Sequence, residues 1–445
     1  MHQSQLSETI IKKAKSTFSG DVEVFISSHS SLEIHILDGE IEVLDSYKES
    51  GIGIRVLDQG KLGFAYHAGL GLEGAAQCLQ QAIENSRCTS ANPYLNFSGA
   101  KLPKTKLDLF DPQISATPLQ KKIDMAKNIE KIARAHDQRI LKTEKVIYND
   151  SEAEAWLQTS TGFCGSLKTN HASAMAMVVA GDGQTFESGT GFLAVKKIKD
   201  LDAEKVGKEA AEKAVEMLGA RTTQSRKTTL VFEPKIAAQI LSLLISPLSG
   251  EAVMKGKSLF HDKVGKIVAA KILNVIDDGT MPNGLATSPF DGEGIPCQKT
   301  VLIKNGVLRG FLHNIYSANK TKHKPTGNSG RGSYQGLPGL SSTNFYIENG
   351  KTAPEKLIQQ IKDGIYIARI MGFHTADPIS GDFSFGVQGL LIENGKKTYP
   401  VRGITIAGNM IELLQSISAL GNDLQFDSTL GSPTLVVEDI SVGGA

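Results

Sequence analysis

Two hydrophobic periods alternate along the first half of the chain. Residues 4–17 place apolar positions at helical spacing and predict an amphipathic helix. Period-two alternation follows at Val22, Val24 and Ile26, at Leu32, Ile34 and Ile36, around 40–45, and at Ile52, Ile54 and Val56. That pattern predicts four short half-buried strands, with Asp38-Gly39 as a hairpin turn. After Gln59-Gly60 a further run carries Leu62, Phe64 and Tyr66, and a helix over about 71–86 closes the unit. Proline, serine and glycine interrupt every pattern over 88–116, which reads as a linker. A second helix starts with Thr117 as N-cap, Pro118 in its first position and Gln120 completing a capping box. Leu119, Ile123, Ala126, Ile129 and Ala133 form its apolar stripe. Strand-like runs near 142–149, 153–160, 164–180 and 184–194 precede a helix over about 201–218.

Residues 1–87 and 117–220 therefore share one order: helix, strands, helix. This predicts two α+β units, or one layered unit built from both. A polar stretch, Arg221–Lys227, reads as a second linker. Residues 228–445 are mostly short apolar runs ending in Gly-rich turns, among them Asn305-Gly306, Asn349-Gly350 and Asn394-Gly395. The expected fold class is α+β: N-terminal helix–β-meander–helix units followed by a β-rich barrel or sandwich. Helices are expected in that last region near 234–245 and 409–419.

Composition narrows the function classes. The 445 residues carry a net charge of +1, which gives no global case for a polyanionic partner. The basic runs Lys101–Lys106 and Asn319–Lys324 lack interleaved aromatics and read as solvated loops, so no nucleic acid is expected. Four cysteines without a CxxC pair suit a reducing compartment. The N-terminal stretch has no continuous apolar region, and no segment approaches the ~18 apolar residues of a membrane span. A cytoplasmic protein without a membrane partner is the expectation.

No complete catalytic motif emerges. Gly69, Gly71 and Gly74 match GxGxxG, but after an antiparallel meander they read as a turn and helix start. Ser317 and Lys320 match SxxK without its companion elements. Cys297, near Lys299, could be a thiolate only in an electropositive, partly open site. None of the ten histidines stand at i, i+3 or i, i+4. Asp277, Asp278, Asp291 and Glu293 have the oxygen donors of a hard-cation site, yet they lie where turns use acids for their own hydrogen bonding.

Three segments carry a resemblance. They read SGEAVMKGKSLFHDKVGKIVAAKILNVIDDG, then SPFDGEGIPCQKTVLIKNGVLRGFLHNIYSANK, then PTGNSGRGSY. Together with the closing SPTLVVEDISVGG they resemble the TldD/PmbA family, also labelled modulators of DNA gyrase, over nearly the whole chain. The resemblance implies two branches. TldD-like members carry HExxxH and a later cysteine that hold a catalytic zinc; PmbA or TldE members lack them and pair with the first kind. Counting back from Lys255, Leu241 and Ser246 stand at the two histidine positions and Ser242 at the general-base glutamate. Phe426–Pro433 contains no cysteine where the third ligand would be.

The resemblance thus implies a PmbA/TldE-like subunit of a metalloprotease acting in proteolysis or maturation of unfolded peptides. No catalytic or metal-binding residue is expected in this chain, and the zinc is expected in a TldD-like partner. Thr326, Gly327, Asn328, Arg331 and Tyr334 are the candidate residues for contact with peptide or partner. Two alternatives remain. One is a stand-alone homodimer that holds peptides without cutting them. The other is a peptidase whose site draws on His261, Asp277, Asp291 or Cys297.

Overall fold

The computed structural model describes residues 2–103 and 107–444, so the end of the basic run, Lys104–Lys106, lies outside the described residues. The first half comprises α1 (Gln3–Thr17), β1 (Asp21–Leu37), β2 (Glu40–Asp58), β3 (Lys61–Ala68), α2 (Leu72–Arg87), α3 (Pro112–Ala116), α4 (Leu119–His136), β4 (Ile140–Thr159), β5 (Cys164–Gly181), β6 (Phe186–Val195) and α5 (Ala203–Glu216). The six strands form one sheet in the order β3-β2-β1-β4-β5-β6, antiparallel throughout. The two helix–meander–helix units are thus fused along β1 and β4, where Val24 faces Gln158 and Ile34 faces Tyr148.

The strands are longer than the alternation predicts. β1, β2 and β4 run for 17, 19 and 20 residues. Apolar alternation lapses at Ser27–Ser31, but the backbone ladder continues through it, since Ser27 still pairs with Gly51 and Ser31 with Tyr47. Asp38 and Gly39 both have positive φ, 53° and 78°, as a two-residue type I′ hairpin requires. Leu6, Ile10 and Leu79 of α1 and α2 pack on Val24 and Ile54. Ile129 and Ala210 of α4 and α5 pack on Ile34, Tyr148 and Ala174. Even-numbered β1 residues supply both contacts, so all four helices cover one face of the sheet. The start of α4 differs from expectation. Thr117 ends α3, its hydroxyl donating to Gln113 O, so Pro118 becomes the N-cap and Gln120 turns to Asp124 instead of closing a capping box.

The second half comprises β7 (Arg226–Phe232), α6 (Pro234–Ser242), α7 (Gly250–Met254), β8 (Val275–Asp278), β9 (Lys299–Lys304), β10 (Val307–Leu308), α8 (Ile315–Thr321), β11 (Ser329–Gly330), β12 (Gly339–Leu340), β13 (Phe345–Ile347), α9 (Pro354–Gln359), β14 (Asp363–Met371), β15 (Asp382–Glu393), β16 (Lys396–Asn409), α10 (Met410–Gln415), β17 (Ile417–Leu420), β18 (Gln425–Asp427), β19 (Leu430–Ser432) and β20 (Leu435–Gly443). Strands β16-β15-β14-β7-β20 close into a five-stranded barrel through pairing of β20 with β16. Barrel and sandwich were both open from sequence; closure decides for the barrel. A second sheet, β10-β9-β8-β13-β19-β18, leans on it. One core joins them, including Phe232, Leu244, Phe345, Ile365 and Phe385.

Two expectations fail here. Asn349-Gly350 is not a hairpin turn: the Asn349 side chain accepts from Leu424 N, and Gly350 sits against Leu420 O, where a Cβ would lie 2.1 Å away. The helix expected over 409–419 stops at Gln415, because the following residues pair as β17 with β20.

Candidate functional site

The positions named by the resemblance do come together. Strand β7 feeds α6 through Pro234 in the first turn, where its missing N–H costs nothing. Helix α6 packs against β18 and β19, the hairpin holding most of Phe426–Pro433. At that contact the side chains are not metal ligands. Leu241 is 1% exposed and belongs to the apolar core with Phe232 and Leu244. Ser242 Oγ donates to Gln239 O at 2.6 Å, inside its own helix. Ser242 and Ser246 line a cavity of about 250 Å³ with Leu243, Leu259 and Met410. A leucine offers no lone pair, and a serine hydroxyl is a poor ligand beside imidazole or thiolate. Among the described residues, no group of three His, Cys, Asp or Glu side chains could hold a metal ion. The donor set does not fit the family's zinc.

A different site forms where residues 326–334 meet the N-terminal sheet. These residues are the candidates for contact with peptide or partner, yet Gly327, Asn328 and Ser329 are buried and Tyr334 is 4% exposed. The loop lies on the sheet face opposite the helices. Gly51 and Gly53 of β2 make room for it: a Cβ at Gly51 would fall 2.4 Å from the Tyr334 ring, and one at Gly53 would fall 2.3 Å from Tyr334 O. Tyr334 N donates to Ser27 Oγ at 3.0 Å. Thr326 ties the loop to the segment before α8, its N–H donating to His313 O and its hydroxyl accepting from His313 N.

Charge is buried at this seam. Glu23 of β1 accepts from Arg55 Nε at 2.8 Å and from Arg331 Nη1 at 2.6 Å. All three side chains are at most 7% exposed. Burial works against the Glu23 charge, but the two guanidiniums overcome it and hold its carboxyl below the ordinary range. Burial brings Arg331 down to about 10 despite Glu23, with Arg55 adding repulsion. The Arg331 guanidinium also lies 4.2 Å from the Phe25 ring centre, a cation–π contact. Sequence reasoning missed Glu23 and Arg55. The available signal was their shared parity, Val22-Glu-Val24 beside Ile54-Arg-Val56, together with glycines inside a strand.

The acids of the 277–293 region surround the loop. Asp277 Oδ1 accepts from Thr343 N at 2.6 Å; its Oδ2 accepts from Asn328 Nδ2 and the Thr343 hydroxyl, both at 2.7 Å. Asp291 accepts three backbone N–H groups, from Glu293, Ile295 and Ser329. Burial and the neighbouring Glu293 charge push Asp291 up to about 7. Burial raises Asp277 as well. Cys297 donates to Gly327 O at 3.5 Å, and burial beside these acids drives its thiol upward, the reverse of an activated nucleophile. Of the four residues in the unusual-peptidase reading, Asp277, Asp291 and Cys297 are neighbours. His261 is an exposed residue paired with Asp262.

The remaining motifs resolve as local structure. Gly69 has φ 89° at the turn into α2, and Gly71 is the helix N-cap. Ser317 is buried in α8 between His313 and Asn314, while Lys320 reaches Tyr316 and Tyr94. Asp278 accepts from Thr280 N and its hydroxyl, as a turn acid does.

A helix-backed six-stranded sheet followed by a closed five-stranded barrel and its second sheet define the fold. The chain belongs to the PmbA/TldD family. It matches the PmbA/TldA metallopeptidase C-terminal domain over residues 225–444, the central domain over 112–218 and domain 1 over 22–86. It is 26% identical to a metalloprotease PmbA of Escherichia coli, covering 99% of this chain and 97% of the relative. It is 28% identical to a metalloprotease TldD homologue of Haemophilus influenzae, covering 92% and 89%. A crystal structure of a Thermotoga maritima protein described as a modulator of a DNA gyrase superposes with a TM-score of 0.92 at 26% identity, covering 99% of this chain and all of the other. TldE from Thermococcus kodakarensis has the same fold, with a TM-score of 0.91 at 24% identity over 99% of this chain and 100% of TldE. Among the described residues no helix is long and apolar enough to cross a membrane.

Proposed function

We propose that this chain is the non-catalytic, PmbA/TldE-like subunit of a two-component metalloprotease acting on unfolded peptides in the cytoplasm. The zinc belongs to a TldD-like partner, and this chain contributes the pairing surface and part of the peptide-binding wall. One observation carries the reading: Leu241 is sealed in the core and Ser242 is tied to its own helix, on a scaffold whose relatives are named metalloproteases. Removing zinc ligands while keeping the helix and its facing hairpin leaves a surface without the means to activate water. The buried loop carrying Asn328 and Arg331 supports a role in holding peptide, since its side chains line a cavity at the seam.

The test is co-expression with an HExxxH-bearing relative from the same host, followed by light scattering and metal analysis of what co-purifies. The expected result is a heteromeric complex with zinc that the isolated chain does not bind. Stoichiometric zinc in the isolated chain would overturn the proposal. Recovery solely as a homodimer, with the relative present and unbound, would replace it with a stand-alone peptide-binding protein.

A further inference from the structure

The seam between the N-terminal sheet and the 326–343 segment encloses a cavity of about 230 Å³. Its apolar walls include Phe25, Ala155, Leu167 and Phe290, drawn from both halves of the chain. A cavity of ~150 Å³ already accepts a benzene ring, so this one has room for an aromatic or branched aliphatic group. Asn328 stands on its wall, 1% exposed, and its Oδ1 has no hydrogen-bond partner although its Nδ2 is committed to Asp277. A buried acceptor without a donor is costly and marks a place where a donor belongs.

The surrounding charges select against an ionic occupant. Asp277 and Asp291 each already accept three hydrogen bonds, which leaves little of either carboxyl for a cation. Arg331, on the same wall, is held by Glu23 through Nη1 and would repel a cation further; its buried Nη2 has no partner and offers a donor to a peptide carbonyl. An anion would face the Asp291 carboxyl and the Asn328 carbonyl. Burying a charge without a partner is far costlier than burying a ring.

We propose that this cavity is a specificity pocket for one uncharged aromatic or branched side chain of a peptide, held beside an amide N–H that donates to Asn328 Oδ1. The inference rests on the peptide-binding reading above and adds the class of residue preferred. The cavity was not legible from sequence because its walls come from β1, β4, β5 and three separate loops.

Isothermal titration of the 445-residue chain tests this with blocked amino-acid amides. N-acetyl-phenylalaninamide and N-acetyl-leucinamide should bind saturably at one site, at least tenfold more tightly than the lysine and glutamate analogues. Ala286→Phe, which fills the cavity and leaves the Ala286 N–H bond to Asn344 Oδ1 in place, should weaken binding at least tenfold. Ser342→Phe fills it from another wall and decides the matter if the first variant does not fold. Equal binding of charged and neutral probes would overturn the pocket. So would no saturable binding, or unchanged binding in a natively melting filled variant. Co-purification with the zinc-bearing relative is the separate readout for the subunit reading. A chain that pairs but ignores the amides loses only the pocket, and one that binds them but never pairs loses only the subunit role.

Discussion

Helix α6 and the 326–334 loop treat polar chemistry in opposite ways. At α6 the positions that the resemblance assigns to zinc ligands and base carry Leu241, Ser242 and Ser246, and the helix is hydrophobic packing with hydroxyls that serve only their own backbone or an adjoining cavity. At the loop, a carboxylate and two guanidiniums are buried together at the cost of desolvation. The contrast separates two meanings of a family scaffold. One region buries apolar side chains where the resemblance implies ligands, and the other buries charges that only mutual pairing makes tolerable.

Removing one side of the buried ion cluster should give the largest effect. Glu23→Ala leaves Arg55 and Arg331 without their shared partner, and chemical denaturation should show a loss of about 3–5 kcal/mol. A loss below 1 kcal/mol would mean the cluster is solvated and the contrast false. Next, Leu241→Ala should cost about 2–5 kcal/mol as a core truncation, measured the same way. A neutral result would say that this position is not core and that α6 retains another use.

The pH dependence of stability sharpens the loop side. Asp291 is raised to about 7 in the folded chain from an unfolded value of about 3.9. A raised acid contributes stability that is full below about pH 4 and is lost as pH rises to about 7. Its share of that slope is at most one proton, about 1.4 kcal/mol per pH unit. Asp277 and Glu293 are raised too and act in the same direction. Denaturation midpoints across pH 4–7 should therefore fall less steeply in Asp291→Asn than in the native chain; parallel slopes would contradict the assignment. The smallest effect is expected at the C-terminal end of α6. Ser242→Ala should change stability by no more than about 0.5 kcal/mol, because its hydroxyl bonds only to the Gln239 carbonyl one turn back.

The sequence exposed some of this and concealed the rest for identifiable reasons. The helices over 4–17, 71–86 and 201–218 were legible because their apolar spacing is helical and their packing follows it. Strand lengths were not, because Ser27–Ser31 and the middle of β4 lack alternation while their backbones stay paired. The fusion of two units into one sheet was only one of two options, since the β1–β4 pairing joins residues more than a hundred apart. At the site, the positions that the resemblance assigns to ligands could be counted from Lys255, a purely local operation. The Glu23–Arg55–Arg331 cluster could not, because its third member arrives from 308 residues away.

The central claim is that this chain needs a zinc-bearing partner to take part in peptide hydrolysis. Its most direct test is a peptidase assay on an unfolded peptide, run with the pure chain and with its complex with the HExxxH-bearing relative, each with and without chelator. No cleavage by the pure chain and chelator-sensitive cleavage by the complex are expected. Cleavage by the pure chain, abolished by chelator, would contradict it.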